Sequence, residues 1–229
     1  MAVVGGDLSA SLERFASVTV LGRVPDAGPL RRTGGNPGDE LWVSGTLGAA
    51  AAGLALVLRG YGRHRDGRVT APRGSRVSPA RRDEIARLLR HLLDPRPMVD
   101  LGRALAEGGI ASAAIDLSDG LARDLHRLCR ASGTGASIER EALPVDSGLA
   151  TLPDLPSDPF DLALYGGEDY GLLFAVPPAR VPAMRKTAGR FAVRRIGQLD
   201  ATSRVVLSEN GCFAPLPDRG FDHFAKGGG

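Results

Sequence analysis

A chain of 229 residues, 43% hydrophobic and 24% charged, has the balance of a globular protein with an ample core in one or two domains. No apolar run approaches the roughly 20 residues that a membrane-spanning helix needs, and no basic stretch followed by an apolar core marks a signal peptide. Two cysteines, Cys129 and Cys212, are too few for a disulfide framework and suit a reducing cytoplasm, while the formal charge of +3 rests almost wholly on arginine.

In chain order, Ala2-Val3-Val4 is a short apolar run before Gly5-Gly6-Asp7-Leu8-Ser9, where paired glycines permit a sharp turn ahead of a carboxylate. Residues 15 to 24 alternate and are rich in β-branched side chains, which predicts a strand. Residues 25 to 39, rich in Pro and Gly, read as a crossing between domains. Leu41 to Gly45 is a short strand, and the Ala/Leu run 48 to 59 is a helix stopped by Gly60. A loop follows to 77, and Ser78-Pro79 opens a helix to about 92. A further helix covers 98 to 107, then strand 111 to 116, helix 119 to 131 and strand 135 to 140. The Pro-rich stretch 144 to 159 reads as a surface connection. A helix at 158 to 165, a strand at 171 to 176, a helix at 180 to 190 and strands at 193 to 198 and 203 to 208 complete the pattern. Strands alternating with helices predict an α/β fold, a layered mixed sheet covered by helices. Between Arg59 and Arg96 lie eleven arginines and four acids. Only Tyr61 offers a stacking surface there and no nucleic-acid motif is present, so this is read as a solvated loop and helix face.

The chemistry concentrates at Ala114-Ile115-Asp116-Leu117-Ser118-Asp119-Gly120-Leu121. Small apolar residues lead into two carboxylates with a hydroxyl between them, and an amphipathic run follows. A strand turning into a helix leaves backbone N–H groups free at the positive end of the helix dipole, where phosphate is favoured. Carboxylates at the same place repel phosphate unless a metal lies between, so Mg²⁺ bridging to a nucleotide is one reading. A plain helix cap is the other. Gly166-Gly167-Glu168-Asp169-Tyr170 is another acidic turn after two glycines, and Gly220-Phe221-Asp222-His223-Phe224 closes the chain.

These segments, with 32 to 48, His91 to Pro97 and 132 to 138, resemble thiamine-monophosphate kinase in order and spacing over nearly the whole chain. That family belongs to a larger group that includes aminoimidazole ribonucleotide synthetase, and it transfers the γ-phosphoryl of ATP to thiamine monophosphate. The resemblance implies the C-terminal domain of that fold over 31–229, with 1–30 as a remnant of the N-terminal ATP-binding domain. It implies ATP contacts at Gly6, Asp7, Arg32 and Ser118, and several Mg²⁺ ions on Asp7, Asp116 and Asp119. Glu168 and Phe221 become contacts of the acceptor, and no residue acts as a covalent catalyst. A cytoplasmic protein acting on ATP and thiamine monophosphate, a homodimer in its full-length form and away from nucleic acid and membranes, is implied as well. Family members are roughly a third longer at the N-terminus, where further acidic ligands lie, so the chain alone is expected to show little turnover. Leu8 and Gly171 stand where the family usually has threonine and glutamate. His223 is expected to be structural, and Asp124 and His126, two apart on a helix, do not share a face. Two alternatives remain: another ATP-dependent enzyme of the same group, or a silent nucleotide-binding or interaction module.

Overall fold

The computed structural model describes residues 2–152 and 158–221. Its first regular element is β1 (Glu40–Ser44), followed by α1 (Ala49–Leu58) and a small hairpin of β2 (Gly62–Arg63) and β3 (Val69–Thr70). Next come α2 (Pro79–Leu93), α3 (Val99–Glu107), β4 (Ala113–Asp116), α4 (Leu121–Ser132) and β5 (Gly135–Glu139). The last elements are α5 (Pro159–Tyr165), β6 (Leu172–Val176), α6 (Val181–Ala188), β7 (Val193–Asp200), β8 (Val205–Glu209) and β9 (Cys212–Pro215). Seven strands form one sheet in the order β4-β6-β1-β7-β5-β8-β9. The β5–β8 pair is parallel and its other neighbours are antiparallel, so the expected mixed α/β sheet is what the chain builds.

The period-2 pattern explains why helices cover both faces. Leu41, Val43, Ala113, Ile115, Leu173 and Ala175 pack with Leu121, Leu125 and Leu128 of α4 and with Ala163 and Leu164 of α5. The intervening Trp42, Ala114, Phe174 and Val176 pack with Leu101 and Leu105 of α3 and Met184 of α6. Fully burying each such leucine is worth about 1.5–3 kcal/mol against leaving it exposed. A third cluster joins α1 and α2 through Ala52, Leu56, Ile85, Leu88 and Leu89. Gly53 lets these two helices touch, because a Cβ there would lie 2.6 Å from the Leu88 carbonyl oxygen. Ser78 caps α2 as its Ser-Pro signal predicts, its Oγ accepting from Arg81 N–H. Cys129 is a core residue as expected, its thiol pushed up to about 12 chiefly by burial.

Three expectations are corrected. Residues 15 to 24 form no strand: Phe15, Val18, Val20 and Leu21 are all exposed, and the segment pairs with no strand among the described residues. A β pattern needs a partner ladder before it becomes a strand, and local sequence does not supply one. The loop 60 to 77 contains the β2–β3 hairpin, and β9 follows β8 where no strand was read. The connection after 144 is not confined to the surface. Leu149 and Leu152 join the α1–α2 cluster, and Val145 bridges to Leu47.

Asp146 explains that docking. It is 3% exposed and accepts from Arg87 Nη1 at 2.9 Å, Thr46 Oγ1 at 2.8 Å and Gly148 N–H at 2.9 Å. Burial pushes its carboxyl up, but the bonds from Arg87, Thr46 and Gly148 together outweigh burial and hold it below the ordinary 3.8. A depressed value means the stabilisation is present above the unfolded value and is lost as pH falls through the folded one. Asp146→Asn is expected to cost about 1–2 kcal/mol near neutral pH, with the difference shrinking in acid. Urea titrations at several pH values check this; a pH-independent difference contradicts it.

Candidate active site

β4 ends at Asp116, and the chain turns through Leu117, Ser118 and Asp119 before Gly120 opens α4. Gly120 has φ 110°, and a Cβ there would lie 3.0 Å from the carbonyl oxygens of Tyr165 and Gly166. Both the dihedral and the close approach require glycine. Asp124, in the first turn of α4, has no exposed surface. Its Oδ2 accepts from the N–H groups of Ser118 at 3.1 Å and Asp119 at 3.0 Å. Its Oδ1 accepts from Arg127 Nη1 at 2.9 Å, and the same nitrogen pairs with Asp119 Oδ2. Burial pushes the Asp124 carboxyl above its ordinary value, against the opposing pull of the Asp119 N–H and of Arg127.

Two other glycine-bearing turns clasp the first. The carbonyls of Leu117, Ser118 and Asp119 accept from the N–H groups of Tyr170 at 2.8 Å, Glu168 at 2.9 Å and Phe221 at 3.0 Å. Gly167 permits that approach, since a Cβ there would sit 2.5 Å from the Ser118 carbonyl oxygen. Glu168 and Tyr170 both hold positive φ, 72° and 47°, which costs energy for residues with a Cβ. Gly171 continues the contact: its carbonyl accepts from Leu117 N–H, and a Cβ on it would lie 2.8 Å from the Ser44 carbonyl oxygen. The close packing of Ser44 thus goes with glycine at this position.

An open cleft of about 800 Å³ lies beside the acidic turn. Arg31, Arg32 and Thr33 line it together with Asp116, Ser118, Asp124 and Arg127. The Arg31 carbonyl accepts from Ala114 N–H at 2.8 Å, so the segment before β1 lies along the outer edge of β4 and brings Arg32 to the cleft. The Arg32 carbonyl accepts from Ser132 Oγ at 3.2 Å. A second, more apolar hollow of about 520 Å³ adjoins the cleft at Gly102, Asp116 and Leu172, walled by Pro95, Pro97, Met98, Val99 and Tyr170.

The structure therefore brings Arg32, Asp116, Ser118 and Asp119 to one place and attaches the main chains of Glu168 and Phe221 to the same turn. It does not bring Gly6 and Asp7 there. Val3, Val4 and Leu8 are more than 90% exposed, a Cβ on Gly6 would meet no atom within 4 Å, and Asp7 Oδ1 accepts from the adjacent Leu8 N–H. Among the described residues no three His, Cys, Asp or Glu side chains are grouped to hold a metal. The expected convergence of Asp7 with Asp116 and Asp119 is thus not what this chain shows. Among the described residues none tethers this segment to the cleft, and carboxylates repel one another without a cation between them. Asp222, His223 and Phe224 lie outside the described residues. His126, as expected, does not share the face of Asp124; its Nε2 is 2.9 Å from the Leu216 carbonyl oxygen.

Sequence reasoning missed three residues. Asp124 and Arg127 organise the turn, and the available signal was an acid in the first turn of the helix. Asp169 caps a remote helix, accepting from Gly48 N–H at 2.8 Å and Ala50 N–H at 3.2 Å at the start of α1. Burial pushes its carboxyl up to about 6. No local signal announces a cap supplied from 121 residues away.

Chemically, Asp116 and Asp119 with the Ser118 hydroxyl offer hard oxygen donors, and Mg²⁺ takes one or two carboxylates with water and phosphate oxygens for the rest. The residues fit that ion. The planar cation of Arg32 suits phosphate oxygens across the cleft.

The profile of the AIR synthase related protein C-terminal domain matches residues 36–209. The chain belongs to the AIR synthase related family. The matched range begins just before β1 and ends with β8, so it contains the acidic turn and the Gly166–Gly171 part of its clasp. Among relatives of this family, the thiamine-monophosphate kinase of Salmonella typhimurium is 33% identical over 228 residues, covering 98% of this chain and 64% of the relative. This AIR synthase related chain thus spans just under two thirds of that relative's length. The crystal structure of thiamine-monophosphate kinase from Stenotrophomonas maltophilia is 33% identical with a TM-score of 0.65, covering 81% of this chain and 54% of that one. AaThiL, solved in complex with AMPPCP and TMP, is 28% identical with a TM-score of 0.66 over 85% of this chain and 54% of that one.

Proposed function

We propose that this chain serves the ATP- and Mg²⁺-dependent phosphorylation of thiamine monophosphate to thiamine diphosphate. The observation that carries the reading is the Asp116-Leu117-Ser118-Asp119 turn, held by Asp124 and opened onto a cleft that Arg32 also lines. Its similarity to thiamine-monophosphate kinases, and the AaThiL complex with AMPPCP and TMP, support it.

Phosphoryl transfer asks the protein for in-line positioning and charge neutralisation rather than covalent work. In this reading Asp116 and Asp119 would hold Mg²⁺, which when bound neutralises charge on the migrating group. Ser118 and Arg32 would hold the nucleotide. Glu168 and Phe221 meet the acceptor on the far side of the same turn. The division into 1–30 and 31–229 belongs to this proposal, as do the homodimer and the cytoplasm. The exposed apolar side chains of residues 3 to 24 support a partner for that segment. Among the described residues no helix is long and apolar enough to cross a membrane.

A second reading is a nucleotide-binding module without turnover, favoured by the position of Gly6 and Asp7 outside the cleft. Calorimetry with Mg²⁺–AMPPCP and a coupled assay of thiamine diphosphate formation, both on the 229-residue protein, separate the two. Saturable nucleotide binding that Ser118→Ala weakens, with little turnover, is the expected result. Absence of nucleotide binding at millimolar concentration counts against both readings. Rapid turnover shows that the residues described here already complete the site.

A further inference from the structure

Arg127 occupies an unusual place in the cleft. One nitrogen, Nη1, reaches two carboxylates at once, Asp124 Oδ1 at 2.9 Å and Asp119 Oδ2. These carboxylates differ in kind. Asp124 is fully buried and already spends its other oxygen on two backbone N–H groups, so it is a fixed part of the turn. Asp119 remains partly accessible, at 14% of its side chain, and Arg127 at 34% lines the open cleft beside Asp116 and Ser118. A guanidinium so placed offsets the charge of Asp119 beside the open cleft.

We propose that Arg127 is the resident counter-ion of the acidic turn, competing with a divalent cation for Asp119 while staying anchored to Asp124. The proposal rests on the reading of Asp119 as a metal ligand. Its physical content is an exchange of partners. A hard divalent ion with two carboxylates outcompetes a partly exposed ion pair, which is individually weak. The displaced guanidinium stays in the cleft through Asp124, where its planar fork suits phosphate oxygens. Before loading, Arg127 prevents Asp116 and Asp119 from repelling each other and splaying the turn.

The test uses Mn²⁺ as the probe, followed by electron paramagnetic resonance titration of the 229-residue protein without nucleotide. Arg127→Gln removes the charge but keeps an amide donor for Asp124. It is expected to bind Mn²⁺ roughly two- to fivefold more tightly than the parent, the range that loss of one partly exposed competing pair allows. Its thermal midpoint is expected to fall in metal-free buffer and to recover toward the parent's as Mn²⁺ is added. Arg127→Lys keeps the charge and loses the fork, so its affinity falls between the two; it carries the test should the glutamine variant not fold. Equal or weaker Mn²⁺ binding in these variants, while Asp119→Asn loses binding, overturns the proposal and leaves the metal reading standing. Mn²⁺ binding that Asp119→Asn does not change overturns the metal reading itself, and the competition with it.

Discussion

Asp116→Asn is expected to slow thiamine diphosphate formation by roughly 100-fold or more, assayed at saturating ATP and Mg²⁺ in the longest form the gene encodes. Loss of one preorganised electrostatic stabiliser of a transition state costs about 3 kcal/mol in comparable sites, which is that factor. Asp116 earns this weight by its position. It is the last residue of β4, its register with Leu172 fixed by the sheet, and it borders both the cleft and the adjoining apolar hollow. The substitution is isosteric and lies at an exposed strand end, so the fold should be untouched. A normal thermal midpoint with slow turnover is the predicted pair of results. Unchanged turnover removes Asp116 from the chemistry, and a collapsed midpoint makes it structural.

Asp124→Ala is expected to be the most damaging change to stability near the site, at about 3 kcal/mol by chemical denaturation. The carboxylate is fully buried and accepts three hydrogen bonds, from Ser118, Asp119 and Arg127. Its removal strands two backbone donors and uncouples Arg127, the kind of broken buried pair whose cost exceeds the net worth of the pair. The partial exposure of Arg127, 34%, keeps the figure at the lower end, because water takes up part of the loss. Asp124→Asn retains an acceptor and should cost less. A loss below about 1 kcal/mol for the alanine variant means that water replaces the carboxylate and that the turn holds itself.

The legible part of the fold was the part whose signals are local. Ser78-Pro79 starts α2, Gly60 follows α1, and the alternation of Leu41, Trp42 and Val43 sends neighbouring side chains to opposite helical layers. The misread elements depended on partners. Residues 15 to 24 have a strand's pattern but no strand beside them among the described residues, and the stretch after 144 looks like a surface loop until Asp146 finds Arg87 and Thr46. β9 escaped notice because an edge strand with all four residues exposed carries no burial pattern.

The candidate site divides along the same line. The sequence by itself determined the α/β class, the family resemblance and the acidic turn, because residue type and spacing along 114 to 121 already state a strand, two carboxylates and a helix start. Only the tertiary structure decided what surrounds that turn. Leu117, Ser118 and Asp119 offer carbonyls that the N–H groups of Tyr170, Glu168 and Phe221 reach across about 50 and 100 residues of chain, and Arg127 reaches back from α4 to Asp119. The chain path likewise brought Arg32 to the cleft and left Gly6 and Asp7 outside it. The physical reason is range. Propensity, capping and side-chain alternation act within a few residues, whereas hydrogen bonds and ion pairs between distant segments form only where packing brings their partners within about 3 Å.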